Sequence, residues 1–493
     1  MIRLPFEHSY AEALPQAGSH VSPASASASA PQLRYWNTRL ASELGLAPGL
    51  DEAALAACFS GAAVPEGAQP FAQVYAGHQF GGYSPQLGDG RALLLGEVID
   101  VQGQRRDIAL KGSGRTPYSR RGDGKAALGP MLREVIIGEA MQALGIPTTR
   151  ALAVVATGDT VYRDRPLPGA VLTRVAASHI RVGTFEYFAN RGDRDTLAKL
   201  AQYTLQRHYP QLQDAANPYL AMLEAVCQRQ ARLLAQWLHV GFIHGVMNTD
   251  NMTLSGETID YGPCAFMDAY DPATVFSSID ERGRYAYGNQ PAIAQWNLAR
   301  LAEALLPLLD AADMDAAVAQ ATEVIHRFQD HYQQAWLAQA RRKLGLVSEQ
   351  PGDQALADDW LTLLQQQQAD FTLAWRYLAD VLDGDGGVRL AALCTDGAAL
   401  QPWLARWQHR LAADGIDAQS VARDLRAANP LYIPRNHLVE EALAAASEYG
   451  DTTLLQRLLT VLADPYTEWP ELARYAQPAS AELARGYRTF CGT

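Results

Sequence analysis

The apolar and polar positions of this 493-residue chain change rhythm twice along its length. Between 37 and 58, Leu40, Leu44 and Leu46 stand ahead of Pro48 and an Ala-rich run at 52–58, which predicts short helices. From about 71 the texture turns glycine-rich. YAGHQFGGYSPQLGDGR leads into RALLLGEVID, a strand, then a VQGQ turn and RRDIALK, a second strand. Residues 130–144 place Leu132, Val135, Ile136, Ala140, Ala143 and Leu144 at helical spacing behind Pro130. Runs at 151–156, 159–163 and 170–175 read as further strands. Beyond 190 helices dominate, with a long amphipathic one over 217–239 and a Gln-rich stretch at 361–368. Between these, MTL and TID flank Ser255-Gly256-Glu257 and predict a short hairpin. The expected class is α+β with four segments. These are an N-terminal extension (1–70), a small lobe (71–189), a large lobe (190–345) and a helical C-terminal extension (346–493). SPASASASAP at 22–31 is expected to be a flexible loop.

Composition narrows the function classes. An apolar share of 48% with 9% aromatic residues and a mean hydropathy of −0.15 describes a globular chain too long for one core. The balance of 41 basic against 53 acidic residues gives −12, the wrong sign for a fold-wide nucleic-acid grip. No stretch reaches membrane-spanning length and the start lacks a secretory pattern, so a soluble cytoplasmic protein is expected. Nothing demands an oligomer, and a monomer is expected. Five scattered cysteines form no zinc pattern.

The candidate chemistry lies in the order of motifs. Gly88-Asp89-Gly90-Arg91 could bring backbone N–H groups close to phosphates, although a tight turn would read the same way. Lys111 ends the IALK strand, and the next helix offers Glu134 and Glu139 as ion-pair partners. Gly loop, strand, IALK strand and Glu-bearing helix is the small-lobe order of protein kinases. Further on, His244-Gly245-Val246-Met247-Asn248-Thr249-Asp250-Asn251 keeps the His-to-Asn spacing of a kinase catalytic loop, and Asp260-Tyr261-Gly262 stands where D-F-G would. The expected fold is therefore protein-kinase-like and bilobal. Asn251 and Asp260 are a hard-oxygen pair suited to Mg²⁺ or Mn²⁺ on a nucleotide. Val246 replaces the kinase base and cannot accept a proton, yet Asp250 directly precedes Asn251. Either the protein is a non-catalytic nucleotide-binding pseudokinase scaffold, or it performs a related transfer with a relocated base. Val246 counts equally against a small-molecule kinase. A second anomaly is local charge: residues 105–134 hold eight basic residues against three acids, which reads as a polyanion pocket helped by Arg174 and Arg181, or as a solvated basic face.

These strings resemble the selenoprotein O (YdiU) family over nearly the whole chain. The likeness is densest in YAGHQFGGYSPQLGDGR, ALKGSGRTPYSRRGDGKAALGPMLREVIIGEAM, TRVAASHIRVGTFEYF and GFIHGVMNTDNMTLSGETIDYGPCAFMDAYDP. The resemblance implies an ATP-dependent adenylyltransferase acting on protein hydroxyls, with the nucleotide flipped relative to kinases. It implies that Lys111, paired with Glu134, holds phosphates, and that Gly88, Gly90, Arg91, Asp123 and Gly124 contact the nucleotide. Arg174 and Arg181 would neutralise its terminal phosphates, Asn251 and Asp260 would bind the metal, and Asp250 would be the general base. Cys491 stands where eukaryotic members carry selenocysteine, so a redox disulfide between Cys264 and Cys491 is a further expectation, against one semi-buried thiol and one frayed, exposed tail thiol.

Overall fold

The structure, a computed structural model, describes residues 2, 4–21, 29–310 and 312–490. Most of the 22–31 loop lies outside them. The chain opens with α1 (Ser9–Ala13), β1 (Gly18–His20), β2 (Gln32–Trp36), α2 (Thr38–Glu43) and α3 (Glu52–Phe59). Then come β3 (Phe71–Gln73), a hairpin of β4 (Gly77–Gln79) and β5 (Gly82–Ser84), and the long strands β6 (Ala92–Ile99) and β7 (Arg105–Lys111). A short β8 (Ala126–Ala127) precedes α4 (Leu128–Ala143), β9 (Arg150–Tyr162) and β10 (Pro166–Ala176). One sheet runs β1-β3-β6-β7-β10-β9-β2, with β8 paired to β10.

Two sequence expectations change here. The runs at 151–156 and 159–163 are a single strand, β9, whose pairing with β10 shifts register around Pro168 and Ala170. The segment before 71 supplies two strands to the sheet, and α2 and α3 cover one of its faces through Leu40, Leu44 and Phe59.

Strand alternation assigns the chemistry to a face. Ile108 and Leu110 point into the cluster under α2 and α3, as do Val171 and Val175 of β10. A period of two therefore sends Lys111 and Arg174 to the opposite face, where α4 packs. Lys111 lies opposite Leu172, and Arg174 opposite Ala109.

The helical body follows with α5 (Val182–Ala189), α6 (Arg194–His208) and α7 (Pro218–His239). Helix α7 starts where Asn217 accepts from the Leu220 N–H and Pro218 fills the first turn. Beyond it, β11 (Phe242–Ile243) and β12 (Ala265–Phe266) form a ribbon that frames the 244–264 segment. No hairpin forms around Ser255. Thr253 instead bridges Arg181 and Thr258 bridges Thr148, so both arms pair with the sheet-bearing part of the chain. Helices α8 (Gln290–Leu309) and α9 (Met314–Lys343) pack against α7, followed by α10 (Asp353–Gln367), α11 (Phe371–Arg376), α12 (Leu378–Asp383) and α13 (Val388–Ala391). Next come α14 (Gln401–Ala412), α15 (Ala418–Ala428), α16 (Asn436–Glu448) and α17 (Thr453–Leu462), and the last two lie against α4. Among the described residues no helix is long and apolar enough to cross a membrane.

Candidate active site

Between the sheet face and the helical body lies a cleft of about 530 Å³. Its lining includes every residue to which the family resemblance gives a nucleotide, metal or base role, and Glu134, but not Glu139 or most of the 105–134 basic cluster. The Gly segment forms one wall. Gly88 has φ +110°, and a Cβ there would stand 2.6 Å from the Tyr118 ring and 3.0 Å from the Gln73 carbonyl, so only glycine fits. Asp89 is buried beside it and accepts from the Gln73 N–H at 3.1 Å. Burial pushes its carboxyl up, against the pull of Arg181, 3.7 Å away.

The centre of the cleft is Asp260. Its backbone is left-handed at φ +60°, a strained conformation for a non-glycine residue. Its Oδ1 accepts from Lys111 Nζ at 2.7 Å and from Arg174 Nη1 at 2.6 Å, while Arg181 Nη2 stands 3.6 Å from Oδ2. Burial alone would raise this carboxyl, but Arg174, Lys111 and Arg181 outweigh it and hold it well below the usual carboxylate range. Lys111 also pairs with Glu134 of α4. Glu139, the other expected partner, forms a two-pronged pair with Arg150 at 2.7 and 2.6 Å instead.

The turn at 249–251 supplies the remaining groups. Asn251 donates its amide N–H to the Val246 carbonyl at 2.9 Å, which leaves its amide oxygen as the atom it could offer a ligand. Asp250 is half-buried, and its Oδ1 has no hydrogen-bond partner. Its Oδ2 has one long contact, Gln79 Nε2 at 3.4 Å. Burial pushes the Asp250 carboxyl up to about 6, partly offset by Arg181. His244 is buried and structural: Nε2 donates to the Ile259 carbonyl at 2.9 Å, tying this turn to the run before Asp260. Among the described residues no group of three or more His, Cys, Asp or Glu could hold a metal ion. The two oxygen-bearing side chains expected to serve a cation, Asn251 and Asp260, both line the cleft, and a cation there would need phosphate oxygens and waters as its other ligands.

The basic cluster disperses in space. Arg105 and Arg106 start β7, at the opposite end from Lys111, and pair with Glu7 and Asp100. Arg133 faces outward from α4 to Glu440. Of the eight basic residues, Lys111, Arg120 and Lys125 reach the cleft. Asp123 stands at its mouth with its carboxylate taken by Arg163 at 2.9 and 3.0 Å, beside Gly124. Arg91 lines the same wall. Cys264 is buried, and Cys491 lies outside the described residues, two positions beyond Thr489, which donates to the Pro263 carbonyl at 2.7 Å. Sequence reading missed Arg163, Tyr75, whose ring lies under the Arg181 guanidinium at 4.6 Å, and the group around Glu186 described below. Nothing in local spacing marked them, although Tyr75 belongs to the unusual YAGHQFGGY string.

Fold and cleft together define a mixed α+β protein whose sheet and helical body enclose a cation-lined site. The family model described as protein adenylyltransferase SelO matches residues 3–463. A protein nucleotidyltransferase YdiU of Chromobacterium violaceum is 68% identical over 465 residues, covering 94% of this chain and 97% of its own. Proteins of the same name from Rhizobium rhizogenes and Cereibacter sphaeroides are 57% identical over 491 residues and 58% over 489. The first covers 99% of this chain and 97% of its own, and the second 99% of each. This chain belongs to the SelO family.

Proposed function

We propose that the chain is a protein adenylyltransferase on a protein-kinase-like body. It moves AMP from ATP to Ser, Thr or Tyr hydroxyls of proteins and releases pyrophosphate. The observation that carries this reading is the convergence of Lys111, Arg174 and Arg181 on one side of the cleft, with Asp250 and not residue 246 as the available base. Three fixed cations suit a leaving pyrophosphate better than a single transferred phosphoryl group. Asp250 takes the proton of the acceptor hydroxyl, whose oxygen bonds to the α-phosphorus while the bond to the bridging oxygen of pyrophosphate breaks. Lys111, Arg174 and Arg181 exchange the Asp260 carboxylate for phosphate oxygens and receive the charge of the leaving group. Asn251 and Asp260 would hold Mg²⁺ or Mn²⁺, which supplies Lewis-acid polarisation of the phosphate. The wall of Gly88, Gly90 and Arg91, with Asp123 and Gly124, would contact the nucleotide, and Glu134 would keep Lys111 extended. Incubating the protein with metal and ATP labelled on either the α- or the γ-phosphate tests the reading. Label from the α-position alone is expected on protein; label from the γ-position indicates a kinase, and none indicates a nucleotide-binding scaffold.

A further inference from the structure

Beside the cleft stands a hydrogen-bonded cluster that the transfer chemistry leaves unassigned. Glu186 of α5, its side chain 3% exposed, is held from two directions. One carboxylate oxygen pairs with Nδ1 of His78, and the other accepts the Thr249 hydroxyl at 2.5 Å. The Thr249 oxygen in turn accepts the backbone N–H of His78 at 2.7 Å. The His78 ring also packs edge-on against Trp296 at 5.2 Å. A helix, a hairpin strand and the turn before Asp250 thus meet at one carboxylate.

Two chain neighbours of this cluster, Gln79 and Asp250, line the cleft. Asp250 follows Thr249, and Gln79, which follows His78, reaches the Asp250 carboxylate at 3.4 Å. Arg181 begins α5 and stands 3.6 Å from Asp260, and Glu186 lies about one and a half turns further along the same helix. The helix sits directly on its neighbours: a Cβ on Gly183 would lie 2.2 Å from the Ala76 carbonyl and 3.5 Å from Asp250 Cα. A buried carboxylate is a costly way to glue elements together, since apolar packing of like volume does that as well. What a saturated polar network adds is a single fixed position.

We propose that Glu186, His78 and Thr249 are positioning residues. Through α5 they hold the Asp250 carboxylate at a set distance from the cations that receive the phosphates. The proposal rests on the adenylyl-transfer reading. Thr249→Val removes the hydroxyl at constant shape, Thr249→Ser keeps it, and His78→Phe keeps a ring against Trp296 while removing Nδ1. The measurements are kcat and KM for transfer of α-label, ATP affinity by calorimetry, and thermal melting. Thr249→Val and His78→Phe are each expected to lower kcat about 10- to 100-fold with ATP affinity within about threefold, while Thr249→Ser keeps kcat within about threefold of wild type. An unchanged kcat in Thr249→Val overturns the proposal. So does a Thr249→Ser variant as slow as Thr249→Val, or ATP affinity falling in step with kcat. Should Thr249→Val fail to fold, His78→Phe against Thr249→Ser decides by the same criteria. Wild-type protein that moves no α-label removes the transfer reading and this inference together, whereas active wild type with an unaffected Thr249→Val removes the inference alone.

Discussion

Replacing Asp260 with asparagine separates the two partners that the three cations can serve. In the structure Lys111 and Arg174 donate to its Oδ1 at 2.7 and 2.6 Å, and Arg181 stands 3.6 Å from Oδ2. The Arg174 and Arg181 side chains are 3% and 2% exposed, so water screens their charge little. A phosphate entering without metal must displace this carboxylate. Two charge-assisted hydrogen bonds are worth about 1.5–3 kcal/mol each, but the Asp260 side chain is 22% exposed and an asparagine oxygen still accepts one of them. The net release is then about 1–3 kcal/mol, or about 5- to 150-fold in affinity. Pyrophosphate titrated calorimetrically in the presence of a chelator is expected to bind Asp260→Asn more tightly than wild type by that factor. With Mg²⁺ or Mn²⁺ restored, the same variant is expected to transfer no AMP. Without ligand it should also melt below wild type, because two buried guanidinium groups lose the nearer of their carboxylates and keep only Glu134 at 3.9 Å and Asp89 at 3.7 Å, and pyrophosphate should recover most of the difference. Equal or weaker pyrophosphate binding by the variant would refute the view that these cations form the phosphate site.

Asp250→Asn is expected to lower transfer about 10²- to 10⁴-fold while ATP affinity, measured by calorimetry, changes little. A parallel loss of ATP affinity would make Asp250 a ligand and not a base. Val246→Asp is expected to produce no transfer of γ-label to protein, because the reading places the γ-phosphate among the cations, away from the acceptor; efficient phosphorylation would reverse the nucleotide's orientation. Glu257, whose carboxyl burial pushes up to about 7, binds its proton more tightly folded than unfolded, so its linked stability falls as pH rises from about 4.3 to about 7. Glu257→Gln, whose amide oxygen can still accept from the Ala177 N–H and Ser255, is therefore expected to stabilise the protein at pH 8 by about 1–3 kcal/mol and to be nearly neutral at about pH 4 in thermal melts.

Some of this arrangement could be read from the chain because it is written in local periodicity. The IALK strand and the helix after it put Lys111 and Glu134 at the same edge once alternation and helical spacing are applied. The 244–262 segment keeps its spacing because His244 must bridge back to Ile259. Charge counting failed where that geometry was ignored. Arg105 and Lys111 are near in sequence but at opposite ends of one strand, and Arg133, about 100° round α4 from Glu134, pairs with Glu440. The triads around Ser255 misled for another reason: a short β-prone run looks the same whether it pairs with its neighbour or with Arg181 and Thr148, far away in the chain. Glu186, Thr249 and His78 were invisible because their partnership joins positions 108 and 63 residues apart, and no local pattern encodes that.

Helix α4 carries more than Glu134. On its outer side it is braced by α16 and α17, with Arg133 paired to Glu440 and the Tyr487 hydroxyl donating to the same carboxylate at 2.7 Å. An outward swing of α4, which would part Glu134 from Lys111, would first have to break these contacts. The C-terminal segment is thus a built-in splint for the helix that carries Glu134. Cutting the chain upstream of Asn436 would remove that splint and leave the outer side of α4 bare to water.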